Sequence, residues 1–399
     1  MTFSPLDQRK QIDVQNSFNL LQRSNTMRMM KAARLHEVGG KFQVDEIEKP
    51  TPGYDEIIVK VESANLVQNL RNVVSTYPIE KPFLPLPEFP AIFGLDIAGT
   101  IADVGERVRN LKPGDRVYID TARSAVDSWE TRTGDPLSDP DFAFQGYFGI
   151  GEGARALHRD YPHGGMCEYV RAPARSVIGI PDNVTFDQAS RLGYIGTSYA
   201  AMRKGDVRPG SSLLILGATG TLGVDAVLLA LAMGVGKIFA VARNVELLER
   251  VKAFAPDRIN IISLSDQDLG DWVRSLNYGG RGADVVIDAL NHTAPASVSM
   301  NGINALRRGG RYIFVGAMPE PLPIPIYFLM TRQIQIFTSL WFSTAEGEEI
   351  MRMAEAGTLE LDHFEINSFS LDQANEALQS AEDRKGGFTS IIVHPHKKA

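Results

Sequence analysis

The run Gly217-Ala218-Thr219-Gly220-Thr221-Leu222-Gly223 constrains this chain more than any other. It lies where an apolar segment, SLLILG (212–217), gives way directly to a long apolar run, TLGVDAVLLALAMG. A buried strand that turns through glycines into a helix is half of a βαβ unit. Glycines at that turn permit a tight bend and a close approach to a pyrophosphate seated on the positive end of the helix. As a bare string, Gly-x-x-Gly-x-x-Gly says little, and its surroundings give it weight. KIFAVAR (237–243), VELLERVKAFA (245–255), RINIIS (258–263), ADVVIDAL (283–290) and RYIFVGA (311–317) carry the strand–helix rhythm onward. This alternation predicts parallel strands joined by crossovers, a doubly wound sheet spanning 181–342.

The remaining chain follows a different rhythm. Between 29 and 180, short β-rich segments such as EIIVKVESA (56–64), IAGTIADVG (97–105) and DRVYID (115–120) alternate with turns such as KPGD (112–115). They predict an irregular, barrel-like β domain. The stretch 121–160 interrupts this pattern, and its polar first half reads as a long surface loop. Residues 343–399 offer two helical segments and a terminal strand, GGFTSIIVHP. That strand needs a partner sheet, so the tail is expected to return to the first domain. Residues 1–28 read as a poorly ordered extension or a short helix packed on a neighbour.

A dinucleotide's ribose 2′-hydroxyl is usually read by an acid about 20 residues beyond the glycine motif. The sequence at that distance is Val241-Ala242-Arg243-Asn244, with no carboxylate. Arg243, with Asn244 beside it, suits a 2′-phosphate, because a guanidinium pairs with phosphate bidentately. NADP(H) is therefore expected over NAD(H). Asn291, just past the ADVVIDAL segment, falls at the carboxyl edge where such sheets bind ligands.

Composition removes other function classes. The net charge of −7 argues against nucleic acid or an anionic membrane as partner. A single cysteine, Cys167, excludes an internal disulfide framework and a thiolate-rich zinc site. With no membrane-length apolar run and no apolar leader, the chain is expected to be cytoplasmic.

The chain resembles the medium-chain dehydrogenase/reductase superfamily over about 31–395. The resemblance rests on GLDIAGTIADVGERVRNLKPGDRVY (94–118), GGMCEYVRAPA (164–174), the glycine motif and GRGADVVIDAL (280–290). It implies an α/β fold with a GroES-like irregular β-barrel domain, completed by 343–399, and a Rossmann domain. In the zinc-dependent branch the ligands are a Cys after the first long strand, the His of a Gly-His-Glu triplet, and a Cys shortly before Thr-x-Tyr. Here the matching segments read Val67-Gln68-Asn69, Gly94-Leu95-Asp96 and Leu192-Gly193-Tyr194, followed by Thr197-Ser198-Tyr199. Val, Leu and Gly side chains offer zinc no lone pair. No zinc is expected. The zinc-independent, quinone-oxidoreductase-like branch matches better, through Asn65, Arg71, Thr76-Tyr77 and Leu84-Pro85.

That likeness implies that Asn65, Thr197 and Gly316-Ala317-Met318 hold the nicotinamide end of the cofactor. Without a metal, charge on the substrate oxygen must be met by hydrogen-bond donors. The candidates are Tyr77, Tyr194 beside the vacated ligand position, and Asn69 at the place of a proton relay. The expected reaction is hydride transfer from NADPH to an activated alkene or quinone. The alternatives are a metal-free alcohol/ketone dehydrogenase and a cofactor-binding homologue without turnover. Tyr327, Trp341 and Phe342 suggest an apolar or aromatic small-molecule substrate, or packing between subunits. Cys167 reads as core, and His158 and His163 as surface residues. The apolar run 333–340 is expected to be an edge strand that pairs across a homodimer axis.

Overall fold

The computed structural model describes residues 29–264, 268–291, 293–317 and 320–397. The expected extension 1–28 and Met318 lie outside the described residues. In chain order, the strands of the first half are β1 (Met29–Leu35), β2 (Phe42–Glu48), β3 (Glu56–Asn65), β4 (Asp96–Val104) and β5 (Arg116–Ile119). They are followed by β6 (Ala122–Arg123), β7 (Ala143–Phe144), β8 (Tyr169–Pro173) and β9 (Val177–Gly179). The strand–helix half contributes β10 (Ser212–Leu216), β11 (Lys237–Ala242), β12 (Ile259–Ser263), β13 (Ala283–Asp288), β14 (Leu306–Phe314) and β15 (Gln335–Thr338). The last strands are β16 (Glu365–Phe369) and β17 (Thr389–Val393).

β10 to β15 form one six-stranded sheet in the order β12-β11-β10-β13-β14-β15, all neighbours parallel. Along β10 every residue is buried, because helices cover both faces. Leu213 and Ile215 join one apolar cluster while Leu214 and Leu216 join another on the opposite face, as a period of two requires. The order reverses between β10 and β13, the switch point at whose carboxyl edge sheets of this kind bind ligands. The glycine run leaves β10 at that edge and starts helix Thr221–Ala232.

The second sheet is built on β3, the longest strand. β3 pairs antiparallel with β4, β8 and β17. β5 and β9 extend the sheet beyond β4, and β16 lies parallel to β17 at the other edge. The terminal strand thus closes onto the first half of the chain. One apolar cluster runs continuously from Val59 and Tyr118 through Ile195 and Phe342 to Val224, joining the two sheets.

The 121–160 stretch departs from the expected surface loop. Half of the residues in its first half are exposed, and this part holds the short helix Trp129–Thr133. Its second half turns inward as β7, with Phe142, Phe144 and Tyr147 buried. Three aromatic residues within six positions supply enough apolar surface to make this segment core, a signal outweighed by the polar residues before it.

Candidate active site

The glycine motif is shaped by contacts that no larger residue can make. Gly217 has φ +78°, in the left-handed region that favours glycine. A Cβ on Gly223 would stand 2.1 Å from the Gly217 carbonyl oxygen and 2.7 Å from Ala218 Cα. The helix is thereby seated hard against the strand end. Gly220 precedes Thr221–Ala232 without a side-chain cap, so the first N–H groups of that helix are left for an anion. From the C-terminal stretch, Gly387 packs on Gly220, where a Cβ would approach its carbonyl oxygen to 2.3 Å. Arg384 Nη2 donates to Thr221 Oγ1 at 2.8 Å, and its buried Nε has no partner. The cradle and the cation beside it fit a pyrophosphate. Arg384 was invisible to sequence reasoning, because only the return of the tail brings it to the motif.

The other cofactor candidates are distributed as follows. Arg243 and Asn244 are exposed beyond β11, and Asn244 Oδ1 accepts from Leu247 N–H at 3.0 Å, capping the next helix. Asn291 is exposed beyond β13 and accepts from the Thr293 hydroxyl at 2.7 Å. Gly316 follows β14 so closely against Leu290 that a Cβ would lie 1.9 Å from its carbonyl oxygen, with Ala317 exposed beside it. Thr197 donates to the Gly193 carbonyl at 2.7 Å within its own helix. Asn65 ends β3 directly opposite Asp96 on β4, fully buried, and neither of its side-chain polar atoms has a partner.

Asp96 occupies the heart of the vacated ligand region. Its Oδ1 accepts from Tyr118 at 2.7 Å, while Oδ2 is buried without a partner. Burial drives its carboxyl up to about 7, partly opposed by the hydrogen bonds from Tyr118 and the Gly193 backbone and by Arg191. A Cβ at Gly193 would fall 1.9 Å from Asp96 Oδ1. No side chain fits at 193, the position of the third ligand in the zinc branch. Val67 and Leu95 stand at the other two, and both are apolar. Among the described residues, no group of three or more His, Cys, Asp or Glu side chains is arranged to hold a metal ion. The residues present do not fit a catalytic zinc.

The three donor candidates converge. Asn69 Nδ2 donates to the Tyr77 hydroxyl at 3.3 Å, and Tyr194 accepts from the Gln68 backbone N–H at 2.9 Å. The Arg191 and Arg384 guanidinium groups each lie 5.8 Å from the centre of the Tyr194 ring, so Tyr194 links the glycine motif to the 67–69 segment. The sequence reading missed a third phenol. Tyr147, buried on the inward half of the 121–160 stretch, donates to Asn69 Oδ1. Burial, then the neighbouring Tyr77 and Tyr194, push the Tyr147 phenol well above its ordinary range, so it stays protonated. A chain of aromatic rings runs inward from Tyr77: Tyr77 lies 6.1 Å from Phe148, Phe148 5.6 Å from Phe144, and Phe144 4.9 Å from Trp341.

Two expectations need correction. Tyr327 does not join Trp341 and Phe342, for it is 75% exposed on helix Ile326–Arg332 while the other two are buried. His158 is buried, not a surface residue, because helix Ala154–Asp160 packs onto β7, and burial lowers its ring to about 4. His163 is half-buried and likewise lowered to about 4 by burial. Cys167 is buried within the core, its thiol pushed up by burial. Arg71, which carried part of the resemblance, ties to Glu382 at 2.7 Å on the C-terminal helix.

Comparison with known proteins agrees with this architecture. Residues 53–182 match the family described as "Alcohol dehydrogenase GroES-like domain", and residues 221–356 match "Zinc-binding dehydrogenase". An alcohol dehydrogenase of Geobacillus stearothermophilus is 31% identical over 331 residues, covering 82% of this chain and 90% of the relative. An NAD-dependent alcohol dehydrogenase of Sulfurisphaera tokodaii is 27% identical, covering 91% and 100%. Among solved structures, a putative zinc-binding dehydrogenase from Sinorhizobium meliloti bound to NADP superposes with TM-score 0.74 at 22% identity, covering 92% and 100%. The Gly-seated βα turn, the paired sheets and these relatives together make the chain a member of the medium-chain dehydrogenase/reductase superfamily and an NAD(P)-dependent oxidoreductase.

Proposed function

We propose that this protein transfers hydride between NADP(H) and a carbonyl-bearing small molecule without a catalytic zinc. The observation that carries the reading is the cluster of Tyr77, Asn69, Tyr147 and Tyr194 beside ligand positions held by Val67, Leu95 and Gly193. Bound NADPH would supply a hydride to the substrate carbon as the carbonyl electron pair moves onto oxygen. Tyr77 then gives that oxygen its hydroxyl proton, and the half-exposed phenol recovers a proton from water. Gly217 to Gly223 and Arg384 would hold the pyrophosphate, Arg243 the 2′-phosphate, and Asn65, Thr197, Gly316 and Ala317 the nicotinamide end. The aromatic approach of Phe144, Phe148 and Trp341 suits an apolar or aromatic substrate. Alcohol dehydrogenase relatives favour a ketone or aldehyde and its alcohol as the substrate pair.

A conjugated enone or quinone is the second reading. It is favoured because Tyr147 is held protonated, the side chains of Tyr77, Asn69, Tyr147 and Tyr194 include no carboxylate or imidazole, and the neighbouring Asp96 is fully buried, so removing an alcohol proton lacks an accessible base while donating to an enolate needs none. The test is an NADPH-coupled screen of ketones, enones and quinones on enzyme assayed for metal. Turnover of simple ketones supports the first reading, and turnover confined to conjugated acceptors supports the second. Loss of activity on chelating a stoichiometric zinc ion refutes both.

A homodimer is part of the same proposal. β15 is an edge strand, and Ile326, Tyr327 and Met330 are exposed on the adjoining helix. Light scattering that returns a monomer mass rejects it.

A further inference from the structure

We infer that the 121–160 segment takes part in the chemistry through Tyr147, a positioning residue that aims Tyr77 by way of the Asn69 amide. This rests on the reading of Tyr77 as proton donor and adds how that donor is oriented. Asn69 sits at the N-cap of helix Leu70–Ser75, a position where asparagine normally spends its side-chain oxygen on a backbone N–H. Here it makes no such bond. Its Oδ1 accepts from Tyr147 instead, which turns the amide N–H toward the Tyr77 oxygen at 3.3 Å. With its oxygen already accepting, Tyr77 keeps its own O–H for a third group. The chain of bonds therefore has one direction, from a buried phenol through an exposed amide to a half-exposed phenol at the cleft.

Asn69 is exposed and could not hold this orientation alone. Tyr147 can, because its segment is pinned from several sides. Gln145 donates to the His163 and Arg171 carbonyls at 2.8 and 2.9 Å and accepts from Arg123 Nε at 3.0 Å. Gly146, at φ +72°, packs so tightly that a Cβ would lie 2.4 Å from Gly164 Cα. The Tyr147 ring packs at 4.8 Å, tilted, against Phe148. Because burial keeps the phenol protonated, its role toward the amide is that of a donor throughout the neutral range.

The test is a cycle of Tyr147→Phe, Tyr77→Phe and the double variant, using an acceptor from the screen above. Tyr77→Phe is expected to lower kcat about a hundredfold. Tyr147→Phe should lower it about tenfold with KM within about twofold, and add nothing in the Tyr77→Phe background. An equal further loss in that background means a purely structural role and overturns the inference, as does an unchanged kcat in Tyr147→Phe alone. If Tyr77→Phe keeps full activity, the donor reading falls and takes the inference with it. The Asn69 side-chain amide gives a readout without substrate. Its exchange with water should accelerate about tenfold in Tyr147→Phe, whereas identical exchange in wild type and variant overturns the inference.

Discussion

Replacing Asp96 by asparagine separates the burden of a buried charge from the value of its hydrogen bond. Asp96 is fully buried and held at about 7 instead of the ordinary 3.8, chiefly by desolvation. Between those two values the folded protein keeps a proton that the unfolded chain has released. Stability due to this group is therefore complete below about 4 and is lost as pH rises toward and through 7. At 1.36 kcal/mol per pH unit, the loss reaches about 4 kcal/mol by pH 8. Asparagine keeps an oxygen that can accept from Tyr118 and carries no charge to desolvate. Asp96→Asn should melt within about 1 °C of wild type at pH 4.5 and about 5 °C above it at pH 8, given the unfolding entropy of a chain this size. Paired thermal melts across that range decide the matter, with the difference between the two proteins as the signal, since groups remote from position 96 titrate equally in both. A variant that is less stable than wild type by the same amount at every pH would refute the reasoning. It would show that the loss comes from packing and hydrogen bonding and not from ionisation of the carboxyl.

Three further outcomes follow from other parts of the structure. Gly223→Ala places a Cβ 2.1 Å from a backbone oxygen that cannot swing away, so the turn must shift and dinucleotide affinity should fall at least about tenfold by fluorescence titration. Arg243→Ala should raise the KM for NADPH about tenfold and leave that for NADH unchanged; equal effects on both would remove Arg243 from the 2′-phosphate. Asp225→Asn breaks the 2.8 Å pair with Arg191, whose side chain also reaches Ser390 and Gly387, and leaves a buried guanidinium without its counter-ion. Urea unfolding should then show a loss of about 3–5 kcal/mol.

The fold class was legible because its signals are local. β10 is an almost wholly apolar run, β3 and β13 carry the short apolar stretches IIV and VVI, and the glycine turn sits between β10 and its helix. What the sequence withheld is whatever depends on chain return. Arg384 reaches Thr221 across 163 positions, and Tyr147 reaches Asn69 across 78, with no periodicity or motif linking either pair. His158 was misread for a related reason. It lies among charged neighbours on a short helix, yet the face that carries it packs inward.

The vacated ligand positions show the same limit from the other side. Each could be read singly as a residue unable to bind zinc, but nothing local in the chain indicates what fills the space. Gly193 is there because the Asp96 carboxylate is, and the Asp96 carboxylate is tolerated because Tyr118 and the Gly193 backbone donate to it. Restoring a cysteine at 193 alone would drive its Cβ into that carboxylate. A zinc site could not be rebuilt one residue at a time: Asp96 and Gly193 would have to change together, and Val67 and Leu95 with them. Asp96, Gly193 and Tyr118 thus form a coupled packing arrangement, and on the function proposed above the phenols around Asn69 are the polar groups offered to substrate.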